Sequence, residues 1–109
     1  MWEVAESTES GAVVLHLRGR LDASSSIDLE QKLGSLSRQP ARRLVLEISG
    51  LDYISSAGLR LVLMAAKQLR TVNGTLAMVG MQPQVKTVFE LAGVQEFYRA
   101  YPTLAEAVA

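Results

Sequence analysis

The stretch "LVLEISGLDYISSAGLRLVL", residues 44–63, changes its hydrophobic period in the middle. From Leu44 to Ile48 it is nearly continuous in Leu, Val and Ile, the composition of a strand covered on both faces. After Ser56 the apolar positions Leu59, Val62, Leu63, Ala66 and Leu69 recur at core-facing helical spacing. That periodicity predicts a helix to about Val72, where Asn73-Gly74 supplies a left-handed stop. A buried strand feeding directly into an amphipathic helix is half of a β-α-β unit, so a parallel pairing is expected.

Working outward, "TLAMVG" (75–80) reads as a second short buried strand. "QPQVKTVFELAG" (82–93) is a helix with Pro83 at its first position and Gly93 past its end. "EFYRAY" is a weak last strand, and "TLAEAVA" is a C-terminal helix opening with Thr103 and Glu106 in capping-box spacing. Upstream, "WEVAES" and "AVVLHLRG" are two β segments joined around Glu9–Gly11, a hairpin. In the second, Val13, Leu15 and Leu17 share one face while Val14, His16 and Arg18 share the other, which predicts a half-buried antiparallel strand. "GRLDASSSIDLEQKLGSLS" turns a corner into a helix whose stripe is Ile27, Leu29, Leu33 and Leu36, capped by Asp22 or one of Ser24 to Ser26. "RRLVLEIS" then leads back to the opening stretch. The order ββαβαβα(β)α predicts an α/β fold: a mixed, mostly parallel sheet of four to five strands with about four helices packed on it.

A length of 109 residues fits one domain over residues 1–109. There is no cysteine, which excludes disulfides and thiol catalysis. Acidic and basic residues balance at 11 each, so no summed field draws nucleic acid or anionic lipid. The apolar runs fall far short of the roughly 20 residues of a membrane span. "MWEVAESTES" is acidic where a signal peptide is basic. A small cytosolic globular domain is expected.

Catalytic signatures are missing. His16 is the only histidine and lies mid-strand, so a Ser-His-acid triad is disfavoured against a surface or packing histidine. Ser55-Ser56-Ala57-Gly58 is not a nucleophile elbow, and neither common phosphate-cradle motif is present. One histidine and no cysteine predict no transition-metal site. Neither catalytic residues nor a cofactor are expected.

The start of the second helix carries more. Arg60, Met64, Lys67 and Thr71 fall on its outward side, with Leu61 and Ala57 beside them. This strip is either ordinary surface or a protein-binding face built on an adaptable Met. Gly58 costs about 0.5–1 kcal/mol relative to Ala inside a helix, so something needs the space of its missing Cβ: the domain itself or a partner. Either Ser55 or Ser56 can cap the helix, a contribution of about 1 kcal/mol. One cap suffices. The second hydroxyl stands at the positive end of the helix, where a phosphate is tolerated without melting it.

Four segments together resemble one family. Gly19-Arg20-Leu21-Asp22 matches its corner after the second strand, and "LVLEISGLDYISSAGLRLVL" its apolar strand, Ser-rich turn and Gly-Leu. "NGTLAMVG" matches its next turn and strand, and Pro83, Val85, Phe89 and Gly93 its Pro-x-Val-x-x-x-Phe-x-x-x-Gly helix. The chain resembles the STAS domain over essentially its whole length, and among STAS proteins the anti-sigma factor antagonists. The resemblance implies a cytoplasmic, non-enzymatic protein; the sequence leaves the oligomeric state open, with a free monomer as the default expectation. Unphosphorylated, it binds an anti-sigma factor that is a serine kinase and so frees the sigma factor. The kinase phosphorylates a serine at the start of the second helix, and a PP2C-type phosphatase resets it. Carried over, the acceptor is Ser56, with Ser55 as rival because the frequent Asp of Asp-Ser-Ser-Gly is replaced here by Ser55. Asp22, Ser55, Ser56, Ala57, Gly58, Arg60, Leu61 and Met64 form the implied partner surface. Two other roles stay open: a non-switching subunit of a larger assembly (a stress-signalling scaffold or a lipid-transport complex), and a small-molecule sensor using the helix N-terminus as an anion site.

Overall fold

The computed structural model describes residues 1–36 and 43–109. Ser37 and Arg42, which end the expected first helix and begin the expected third strand, lie outside the described residues. The chain opens with β1 (Trp2–Glu9) and β2 (Ala12–Leu21), then α1 (Ala23–Leu36) and β3 (Arg43–Ile54). There follow α2 (Ser56–Arg70), β4 (Thr75–Val79), α3 (Pro83–Ala92), a 3-10 turn at Gln95–Phe97, β5 (Arg99–Tyr101) and α4 (Leu104–Val108). The five strands form one sheet in the order β1-β2-β3-β4-β5, antiparallel only between β1 and β2. The mixed, mostly parallel α/β architecture is the one the periodicity predicts.

The hairpin closes through Ser10 and Gly11, both at positive φ (51° and 80°), as a tight two-residue connection between twisted strands requires. Downstream, α2 stops at Arg70, two residues before the expected end. Asn73 then takes the left-handed conformation, and the Gly74 N–H returns to the Leu69 carbonyl at 2.7 Å. Pro83 opens α3, Gly93 (φ 68°) ends it, and the Thr103 hydroxyl accepts the Glu106 N–H at 3.3 Å.

Three sequence expectations change. First, β2 is an interior strand, antiparallel to β1 but parallel to β3, and it is buried on both faces from Ala12 to Leu15, while the expected alternation holds only beyond, where Arg18 and Arg20 are exposed. Val14 is fully buried because α4 folds back over this face, where Ala107 and Val108 pack with Ala12, Val14, Val45, Ala77 and Val79. Arg43 pins α4 there by donating to the carbonyls of Ala107 and Ala109. Second, Ile27 does not join the α1 stripe but stands 61% exposed, while Leu29 and Leu36 are buried. The buried positions following Asp22 are instead Ser25, Ser26 and Leu29. Third, Leu61 is buried (8% exposed) and does not border the outward strip of α2. Gly58 faces inward, and the residues three and four positions later, Leu61 and Val62, share its face.

The larger core lies on the opposite side of the sheet from α4. There Leu15, Leu17, Leu21, Leu46, Ile48 and Leu51 of the strands meet Leu29 of α1, Val62 and Ala66 of α2, and Val85 and Phe89 of α3. Burial of a side chain of this size contributes about 1.5–3 kcal/mol. The effect is to fix the carboxyl ends of β2 and β3, and the helix starts that follow them, on one rigid rim.

Candidate functional site

Strand β3 continues past its apolar run to Ile54, so Tyr53 and Ile54 pair with Arg20 and Leu21 at the end of β2. The pairing slips between His16 and Arg18 and again between Gly19 and Arg20. These irregularities twist the strand ends and aim the two following turns at each other. The Ser55 N–H donates to the Leu21 carbonyl at 2.8 Å, which locks the start of α2 to the Gly19–Asp22 corner.

Of the two serines, Ser55 is the cap. Its backbone is extended (φ −85°, ψ 170°), its carbonyl accepts from Leu59 N–H, and its Oγ accepts from Gly58 N–H at 3.1 Å. Ser56, the first helical residue, is exposed, and its hydroxyl makes no hydrogen bond among the described residues. The residue question about Gly58 also resolves. A Cβ there would lie 2.7 Å from Leu21 Cγ and 3.1 Å from Ile54 Cγ1, so internal packing needs the clearance.

Asp22 is half-buried and caps α1: its Oδ1 accepts from the N–H groups of Ser24 (3.1 Å) and Ser25 (3.0 Å) and from the Ser25 hydroxyl (3.1 Å). The Ser25 N–H, then the Ser25 hydroxyl, hold the carboxyl below its ordinary range, with smaller help from Ser24 and the Arg20 charge. Ser25 also donates to the Arg20 carbonyl at 2.6 Å, and Ser26 to the Asp22 carbonyl at 2.6 Å. That corner is rigid. Along α2, Arg60 and Met64 (47% exposed) face outward, Ala57 is half-buried, and Gly58 and Leu61 lie inside. Thus the fold brings Asp22, Ser55 and Ser56 to one rim and leaves Gly58 and Leu61 beneath it.

Two residues of this rim were missed by sequence reasoning. The Arg20 guanidinium lies over the Tyr53 ring, 4.1 Å from its centroid, and Tyr53 is 39% exposed. Their proximity depends on the β2–β3 register, which alternation alone does not specify. Behind them, Gln82 donates to the Ser49 carbonyl at 2.8 Å and Gln84 to the Asp52 carbonyl at 3.2 Å, fastening the β3 extension to α3.

His16 has closer company than its mid-strand position suggests. Its Nε2 lies 3.1 Å from Ser7 Oγ, and its Nδ1 lies 3.9 Å from Glu47 Oε1. The sheet, however, directs backbone N–H groups along its own plane, so no donor pair faces an oxyanion at Ser7. Glu47 is meanwhile engaged by the N–H and hydroxyl of Ser49. A separate hollow of about 270 Å³ lies at the ends of β4 and β5, lined in part by Met78, Met81, Lys86 and Tyr101, and shares no residue with the Ser56 rim. Among the described residues no helix is long and apolar enough to cross a membrane, and no group of three or more His, Asp or Glu could hold a metal ion.

Comparison with known proteins identifies the family and the fold. The STAS domain model matches residues 3–107. A Bordetella bronchiseptica protein named "Putative anti-sigma factor antagonist BtrV" is 43% identical over 83 residues, 76% of this chain and 72% of that one. The crystal structure of an anti-sigma factor antagonist from Mycobacterium paratuberculosis superposes with a TM-score of 0.89 at 23% identity, covering 99% of this chain and 92% of that one. The antagonist SpoIIAA in its unphosphorylated form gives 0.83 at 24% identity, over 99% and 93%. Matched along nearly its whole length by the family model, and sharing its fold with these antagonists, the chain belongs to the STAS domain family.

Proposed function

We propose that the protein is an anti-sigma factor antagonist that works by binding, in the cytoplasm, and is switched by phosphorylation of Ser56. In this reading the unphosphorylated form binds an anti-sigma factor serine kinase and releases the sigma factor that the kinase had held. The kinase then transfers the γ-phosphoryl group of ATP to Ser56 Oγ; the hydroxyl gives up its proton and ADP leaves. A PP2C-type phosphatase hydrolyses the ester and restores the binding form.

One observation carries the choice of residue. Ser55 already provides the helix cap, so Ser56 has a hydroxyl that is exposed and unengaged at the helix start. A phosphate on Ser55 would turn the cap oxygen into an ester oxygen and bring phosphate oxygens into competition for the Gly58 N–H, whereas a phosphate on Ser56 leaves the cap as it is. The added charge of about −1.5 to −2 is favoured by the helix dipole but lies on the same rim as the Asp22 carboxylate, and it alters the surface offered to a partner. The names of relatives support the partner class, and SpoIIAA is known in both unphosphorylated and phosphorylated forms.

The test is reconstitution with the candidate kinase and ATP, followed by site-mapped phosphopeptide analysis. A single phosphate on Ser56, absent in Ser56→Ala, is expected. Ser56→Ala should keep kinase binding and Ser56→Asp should lose it. Equal affinity of the two variants, or phosphate found only on Ser55, would overturn the assignment. No phosphate at all beside a stable complex would favour a non-switching subunit.

A further inference from the structure

The stacked Arg20 lies on the rim that carries Ser56, yet neither the fold nor the proposed switch requires its charge. Its backbone is held on all sides: the N–H donates to the Met1 carbonyl at 3.2 Å, the carbonyl accepts from Ser25 Oγ, and the residue pairs with Tyr53 in the β2–β3 ladder. Leu21 and Ile54, the neighbours in sequence, point into the core, so Arg20 and Tyr53 project from the other side of the strands. The guanidinium makes no hydrogen bond and no ion pair within 4.0 Å among the described residues. Its charge reaches Asp22 only weakly, as the last of the influences on that carboxyl. Gly50 pairs with Arg18 further back in the ladder, and the Arg18 stem fills the space a Cβ would take at Gly50, with Cγ 2.8 Å away.

An arginine laid flat on a ring has already lost much of its rotamer freedom, and its outward N–H donors remain free to bind a planar carboxylate in bidentate fashion. The local pattern is thus a fixed cation at Arg20 and a fixed anion at Asp22, two residues apart on one rigid corner. Two opposite charges at a set spacing select partners by attraction in one register and repulsion in the other.

We infer that Arg20, stacked on Tyr53, is a specificity-determining contact that receives an Asp or Glu carboxylate of the kinase partner. This rests on the antagonist reading above and extends the partner surface from α2 onto the ends of β2 and β3. It predicts which kinase the protein accepts; the phosphate decides when.

The test uses the full-length protein and the candidate anti-sigma factor kinase, by isothermal titration, with Arg20→Glu, Arg20→Lys and Tyr53→Leu. Circular dichroism and melting temperature check that each variant folds. Arg20→Glu should weaken binding about tenfold or more, and Arg20→Lys less, because it keeps the charge but not the fork. Tyr53→Leu should also weaken binding by freeing the guanidinium. In a scan of the kinase's surface acids to Lys, one substitution should restore Arg20→Glu and fail to restore Ser56→Asp. Binding of a folded Arg20→Glu within about twofold of the parent, while Ser56→Asp has lost it, overturns the inference and leaves the antagonist reading intact. Weakening that no acid-to-Lys substitution restores overturns it as well. Failure of the parent protein to bind the kinase removes the antagonist reading and this inference together.

Discussion

Gly58 and Asp22 show how single residues set this rim. A methyl group at Gly58 has nowhere to go, since Leu21 Cγ is the branch point of its side chain and Ile54 Cγ1 presses from the other side. Gly58→Ala gains about 0.5–1 kcal/mol of helix propensity but overpacks the core at a cost of about 1–3 kcal/mol. A net loss is expected, read as a lower urea midpoint at unchanged slope. A glycine needed only to admit a partner would give the opposite result, a more stable protein that binds poorly. Asp22 makes a prediction in pH. Its folded carboxyl is held below its ordinary 3.8, so it stabilises the fold at pH above that value. This contribution is lost as pH falls through the lower, folded value. Asp22→Asn keeps a good cap without the titration, so urea midpoints followed down through the carboxylate range should fall less steeply in the variant than in the parent.

At the scale of elements, the least expected feature is the cover that α4 places on the second face of the sheet. Val14 tests it. Were β2 open to water on that side, Val14→Thr would change stability by about 0.5 kcal/mol or less. With Val14 fully buried under Ala107 and Val108, the hydroxyl enters an apolar site and should cost about 1–3 kcal/mol in equilibrium denaturation. The contrast also shows where the sequence was legible. Strands and helices announced themselves through period, and their ends through Pro83, Gly93, Thr103 and Asn73, because those signals are local. What a face packs against is not local. Val14 looked solvent-facing because its strand alternates with His16 and Arg18, and the five-residue helix that covers it lies at the far end of the chain. Leu61 was misplaced for a related reason: the orientation of α2 is set by the contact of Gly58 with Leu21 and Ile54, and two of those three residues lie outside the helix. Asp22 and Ser55 were legible because helix starts demand capping residues, and Ser56 because it is the hydroxyl that the cap does not need. Arg20 and Tyr53 were not, since their stacking follows from a register with two slips in it.

The whole molecule is suited to a switch that changes a surface and leaves the scaffold alone. The Ser56 rim stands on the carboxyl ends of β2 and β3, with Leu21, Leu51 and Ile54 buried beneath it and the Gln82 and Gln84 side chains bracing it from α3. Ser56 itself is exposed, and its side chain makes no hydrogen bond among the described residues, so a charge there breaks none of those bonds. The proposed phosphate therefore acts through what a partner meets, by charge and bulk, and not through a rearrangement of the sheet. An interface that must close over Ser56 would have to desolvate the new charge beside Asp22, which costs more than a typical rim contact returns. Ser56→Asp should accordingly melt within a few degrees of the parent, and its amide chemical-shift changes should be confined to the Gly19–Asp22 corner and the first turns of α2. Kinase binding should nevertheless be lost. Shifts spreading through β4 and β5, or a large fall in melting temperature, would instead mean that the serine holds the fold together and that loss of binding follows from loss of structure.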